Sequence, residues 1–180
     1  MDIDNKLWRF ALSFYAQPEV AEQLLALQNE HAVCVNQMLF GFWLAAEKQK
    51  LTRLPADTDE AIRWRQQVVA PLRQIRFWLR QQRADAPLNM ATDDCYQQLL
   101  AAELATEQVE LAYLFASSDE YSETAPAESG VRFLALQNIN YYIRSRAQCS
   151  AEQQGKVAHR DSLLQALLDK YCLMIANTEQ

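Results

Sequence analysis

The sequence predicts an all-α fold, one domain over residues 1–180 built as a bundle of about seven helices around a buried central helix. Three observations lead there. Only three glycines and five prolines occur among 180 residues, too few for the turns of a sandwich or barrel. Apolar residues recur at helical spacing along most of the chain. The stretch 33–46, VCVNQMLFGFWLAA, has eleven apolar residues among fourteen, placed all round a helix rather than down one side. Such a helix is either a membrane span or the rod of a core. At 1.5 Å per residue it would reach roughly 21 Å, short of a bilayer, and charged Glu47, Lys48 and Lys50 follow at once. A buried rod is the better fit.

Taken in order, residues 4–16 form a first helix, with Leu7, Phe10 and Phe14 on one line and Trp8, Leu12 and Tyr15 on the next. Pro18 suits the first turn of a second helix, where a missing N–H costs nothing. That helix carries Val20, Leu24 and Leu27 and fades at Asn29–Glu30–His31. The central helix follows, with His31 at its start and with Gly41 letting a neighbour approach. Asn36 is its odd residue: a buried amide needs a hydrogen-bond partner from another helix, a water or a ligand. Asp57 and Glu60 resemble a capping box opening a fourth helix over 58–82, which Pro71 should kink near 67–71. Asp85 or Thr92 could cap a fifth helix bearing Tyr96, Leu100, Leu104, Leu111 and Leu114. Residues 117–130, rich in Ser and Glu, read as a mobile surface loop. A sixth helix starts at Val131, and Ser150 with Gln153 opens a seventh carrying Leu164, Leu168 and Tyr171.

Residues 7–46 also resemble a known family. Leu7, Trp8 and Phe10, then Tyr15 and Pro18, then Leu27, Gln28 and Asn29, then Val35 and Asn36, and last Phe40 and Trp43 match its pattern. The pattern is a Leu-Trp-x-Phe start, a Tyr-x-x-Pro, a Leu-Gln-Asp/Asn and a Val-Asn before an apolar helix. The family is an uncharacterised proteobacterial domain of unknown function. Two departures stand out: Glu19 replaces an expected glycine, and His-Ala-Val-Cys at 31–34 replaces a Gly-x-Asp type of turn. The resemblance implies a bacterial, cytoplasmic protein and supplies no activity.

Composition narrows the function classes. Half the residues are apolar and 22% charged, ordinary for a globular protein, and the net charge of −6 argues against general nucleic-acid affinity. No run has transmembrane length, and the N-terminus carries acids where a secretory signal carries bases. No membrane or DNA partner is expected. Cys34, Cys95, Cys149 and Cys172 form no CxxC and read as free thiols of a reducing cytoplasm.

The sharpest chemical signal is charge segregation. Residues 61–84 hold six arginines and no acid, while residues 85–131 hold ten acids and no base. Arg73, Arg76, Arg80 and Arg83 fall on one narrow helical strip. On the fifth helix, Glu103 and Glu107 fall inside the apolar arc, and carboxylates facing a core need partners. An antiparallel hairpin of the two helices would pair them in an interhelical seam. Alternatively the strip is a receptor for an anion, since guanidinium forks hold phosphates and carboxylates at two points, with Trp64, Phe77 and Trp78 interleaved for stacking. Metal ligation is poorly supplied by His31 and His159 alone, and neither a metal nor a cofactor is expected. No phosphate loop, HExxH or nucleophile elbow is present, and a Cys34–His31 pair is less natural than a core cysteine. Function is therefore open between two classes. The first is a non-enzymatic helical protein working through contact with a partner protein; the second binds a small anionic ligand or RNA on the arginine strip. An enzyme built on Glu103 and Glu107 is a third reading.

Overall fold

The computed structural model describes residues 1–85, 90–146 and 154–178. Among the described residues it is all-α apart from one short pairing of two strands distant in sequence. Helix α1 (Lys6–Tyr15) opens at Asn5, whose side-chain oxygen accepts from the Trp8 N–H at 3.0 Å. Helices α2 (Val20–His31) and α3 (Val35–Ala46) follow. Pro18 lies in the turn ahead of α2 and not in its first turn, because Glu19 adopts a left-handed backbone at φ 69° that no helix can include. A second left-handed residue, Ala32 at φ 53°, ends α2. His31 is thus the last residue of α2 and not the opening of the central helix.

Every residue of α3 from Val35 to Ala45 is buried. Composition dictates this: with apolar groups on all sides, only a place inside the bundle removes them from water. Helix α8 (Val131–Arg146) makes the most extensive packing against α3. They meet tightly at Gly41, where an added Cβ would stand 3.1 Å from Ile139 Cδ1 and 3.7 Å from Asn138 Cβ. Helix α1 packs on α3 and on α6 (Met90–Ala116), and α2 packs on α9 (Gln154–Thr178). Phe14, Phe42 and Tyr171, from α1, α3 and α9, meet ring to ring at 5.1–6.1 Å.

The fourth predicted helix is helix α4 (Glu60–Trp64), a π-helical turn (Arg65–Val69) and helix α5 (Ala70–Asp85) in direct succession. Pro71 explains the widened turn just before it: it cannot donate to the Gln67 carbonyl, and the Ala70 N–H reaches back to the Arg65 carbonyl instead. The cap differs from expectation. Asp59 is the cap residue, while Asp57 accepts from Gln66 Nε2 at 3.2 Å. Helix α6 begins at Met90, ahead of Thr92, and its cap position lies outside the described residues, as do Cys149, Ser150 and Gln153. Cys34, Cys95 and Cys172 are unbridged.

Two strands were not anticipated. β1 (Gln49–Leu51) pairs antiparallel with β2 (Ser122–Thr124), with Lys50 opposite Glu123. The Ser/Glu-rich stretch read as a loop therefore holds a short helical turn, α7 (Ser118–Tyr121), and a strand. Tyr121 is buried there and donates to Asp59 Oδ2 at 2.9 Å. Among the described residues, no helix is long and apolar enough to cross a membrane.

Candidate functional site: a charged cavity beside the central helix

Helices α5 and α6 run antiparallel, and their facing charges interlock. Arg73 Nε donates to Glu103 Oε1 at 2.9 Å, Arg73 Nη2 donates to Glu107, and Arg76 grips Glu103 through Nε and Nη2. Arg73 Nη1 also reaches Gln28 Oε1 of α2 at 3.1 Å. Glu103 is 6% exposed. Burial alone would raise its carboxyl, but the hydrogen bonds from Arg76 and Arg73 outweigh that and hold it below the usual carboxylate range.

Glu107 stands differently. Burial dominates, and its carboxyl is raised despite Arg73. One turn on, Glu110 is buried outright and pushed up to about 7, by burial first, against the pull of Arg65 and the Asn36 hydrogen bond. Asn36, the polar residue of the central helix, donates Nδ2 to Glu110 Oε2 at 3.0 Å. Arg65, first residue of the π-helical turn, places Nη1 3.6 Å from Glu110 Oε1 and 2.9 Å from Cys34 Sγ. The Cys34 thiol is raised by burial, and its backbone N–H donates to Tyr142 Oη at 2.7 Å. Burial disfavours a nucleophilic thiolate there, and outweighs the opposing pull of Arg65.

Three carboxyls at 103, 107 and 110, on one face of α6, thus oppose three guanidiniums at 65, 73 and 76. The sequence singled out Glu103, Glu107, Asn36, Arg73 and Arg76, and the fold brings all five together. Arg80 is exposed farther along α5, and the Arg83 side chain lies outside the described residues. Arg65 and Glu110 were missed. The signal available was that 110 continues the 103–107 ladder by one more turn. The expected stacking surfaces disperse. Trp64 turns to α6 and donates Nε1 to the Thr106 carbonyl at 2.9 Å, Phe77 carries the Arg76 guanidinium 4.5 Å above its ring, and Trp78 is 61% exposed.

Against this clasp lies a cavity of about 260 Å³. Trp8, Leu12 and Tyr15 of α1, Leu25 of α2, Leu39 of α3 and Leu104 and Leu111 of α6 form its apolar wall. Asn36, Arg73, Arg76, Glu103 and Glu107 form its polar end. Leu104, expected in the core arc, is 52% exposed at its mouth.

A family model described as "Protein of unknown function (DUF2390)" matches residues 6–114. The chain belongs to this family. In the DUF2390 chain the matched span runs from the first residue of α1 to near the end of α6, and every residue lining the cavity falls inside it. No curated protein and no solved structure matches the chain.

Proposed function

We propose that this DUF2390 protein binds a small, mostly apolar molecule with one anionic group, the apolar part between α1, α2 and α6 and the anion at Arg73. One observation carries the reading: an apolar cavity ends on a convergent set of buried and half-buried charges whose carboxyls are shifted in opposite directions. Charge balance favours an anion. Burial raises the Glu107 and Glu110 carboxyls, which weakens the internal anions facing Arg73 and Arg65. Glu107 occupies Arg73 as an internal anion whose ionised form burial disfavours. A ligand carboxylate can take its place while Glu107 accepts a proton.

The test is calorimetric titration with octanoate and octanol, each in two buffers of different ionisation enthalpy. Octanoate should bind with net proton uptake, octanol more weakly and without it. Leu104→Trp, filling the mouth, should weaken both without lowering the melting temperature. Octanoate binding that Leu104→Trp leaves unchanged would place the ligand elsewhere.

A second reading, contact with a partner protein, has one favouring observation. Phe133, Leu136 and Tyr141 of α8 are exposed along a groove of about 580 Å³ rimmed by Lys50 and Arg144. An amphipathic segment with acidic flanks suits that surface. Capture of a partner that survives Phe133→Ser with Leu136→Ser would refute this location.

A further inference from the structure

We propose that Glu30, His31 and His159 form a binding site for a first-row divalent transition cation, with Zn²⁺ as the reference ion. The chain has only two histidines, and the fold brings both to one place. Their rings lie 5.7 Å apart between centroids, and His159 Nε2 is 3.2 Å from Glu30 Oε2. One ligand atom from each of the three residues falls within 4.8 Å of the other two.

A tetrahedral zinc with bonds near 2.0–2.1 Å sets its ligands roughly 3.3 Å apart. The gap to close is about 1.5 Å at most, and rotation of the two exposed side chains covers it: Glu30 is 55% exposed and His159 51%. The backbone anchors are already fixed. Glu30 and His31 sit in the last turn of α2 and His159 near the start of α9, and these helices pack through buried Leu24, Leu27, Leu164 and Leu167. Two imidazoles and one carboxylate suit zinc, nickel, copper or iron and not magnesium or calcium, which take all-oxygen shells. Three protein ligands leave one position for water or a further donor.

The site bridges helices far apart in sequence, so occupancy ties the C-terminal helix to α2. Because the metal binds the folded arrangement only, it should raise thermal stability with concentration.

The experiment uses tag-free full-length protein, Zn²⁺ titrations by calorimetry, thermal melts with Zn²⁺ or Mg²⁺, and Co²⁺ absorption. One Zn²⁺ should bind per chain and raise the melting temperature, with Mg²⁺ inert and the Co²⁺ spectrum showing nitrogen and oxygen donors. His159→Ala and Glu30→Gln, both at exposed positions, should each weaken Zn²⁺ binding by about tenfold or more with unchanged circular dichroism. The proposal is overturned by no binding at about 100 μM Zn²⁺, by full affinity in His159→Ala, or by a sulfur-to-cobalt charge-transfer band lost with Cys172→Ser.

Discussion

Replacing Glu110 with glutamine should change how stability depends on pH more than it changes stability itself. In the folded chain this carboxyl ionises near pH 7, because burial disfavours its charge; in the unfolded chain it ionises near 4.5. Between those values the folded state holds a proton that the unfolded state has released. Stability therefore falls as pH rises through the window, and the advantage of the neutral carboxyl, complete below about 4.5, is gone above about 7. At about 1.4 kcal/mol for each tenfold step, the full effect is on the order of 3 kcal/mol. Between pH 5 and pH 8 it amounts to about 2–3 kcal/mol. Glutamine has no such proton. It can still accept from Asn36 Nδ2, while Arg65 loses its carboxylate and keeps its contact to Cys34 Sγ. That loss offsets the curve by a constant and leaves its slope alone. Urea unfolding at half-unit steps from pH 4.5 to 8.5 measures the difference directly, with the exposed Glu123→Gln as control. Wild type should lose stability relative to Glu110→Gln across the window and then run parallel to it. Parallel curves from pH 5 to 8 would show that Glu110 is already ionised at pH 5, and the burial argument would fail.

Four other substitutions separate the parts of the fold. Glu103→Gln strips two guanidiniums of their shared carboxylate and should cost about 2–4 kcal/mol, or roughly 4–12 °C in melting temperature, whereas Glu107→Gln should stay within about 1 kcal/mol of wild type. Asn138→Leu should cost about 3–5 kcal/mol, because the buried amide accepts from Leu51 N–H and donates to the carbonyls of Gly41 and Gln49, as denaturant titration can verify. Glu19→Gly should raise stability by about 0.5–1 kcal/mol, since it relieves the left-handed backbone at φ 69° and gives up only a partly exposed pair with Lys170; a loss of stability there would count against strain at that turn.

What could be read from sequence divides by the range of the interaction. The central helix was legible because its composition alone forces burial. The seam at Arg73, Arg76, Glu103 and Glu107 was legible because charge segregation and 3–4 spacing are local properties of two adjacent helices. Glu19 is instructive in another way. The resemblance sets up an expectation of glycine at this position, and the left-handed backbone at φ 69° is one that glycine adopts without strain. Features that join distant segments were not legible. Asn138 looks like one of several polar residues in LQNINYY, and nothing local says that its amide bridges α3 and β1. The same holds for the pairing of β1 with β2, and for two histidines whose separation in sequence says nothing about separation in space. Leu100 and Leu104 failed in the opposite sense, since the apolar arc on α6 is wider than the surface that α1 and α3 cover, and its excess opens onto solvent and the cavity.

The coexistence of charge and cavity supports the ligand reading more than either does alone. A buried ion-pair seam is a poor device for stability, because well-packed apolar side chains of the same volume would serve as well or better. An apolar cavity is poor as well, since it forfeits the dispersion contacts that packing would supply. Here the two adjoin, and burial opposes the charge of both lining carboxyls: Glu103, gripped by two arginines, is held below the usual carboxylate range, while Glu107, paired with Arg73 alone, is left raised. That asymmetry splits the work of the seam. On the proposed ligand reading, Glu103 holds the two guanidiniums in place and Glu107 is the partner that a ligand anion replaces. A molecule that brings its own anion to Arg73 has only to displace a carboxylate that is already poorly accommodated.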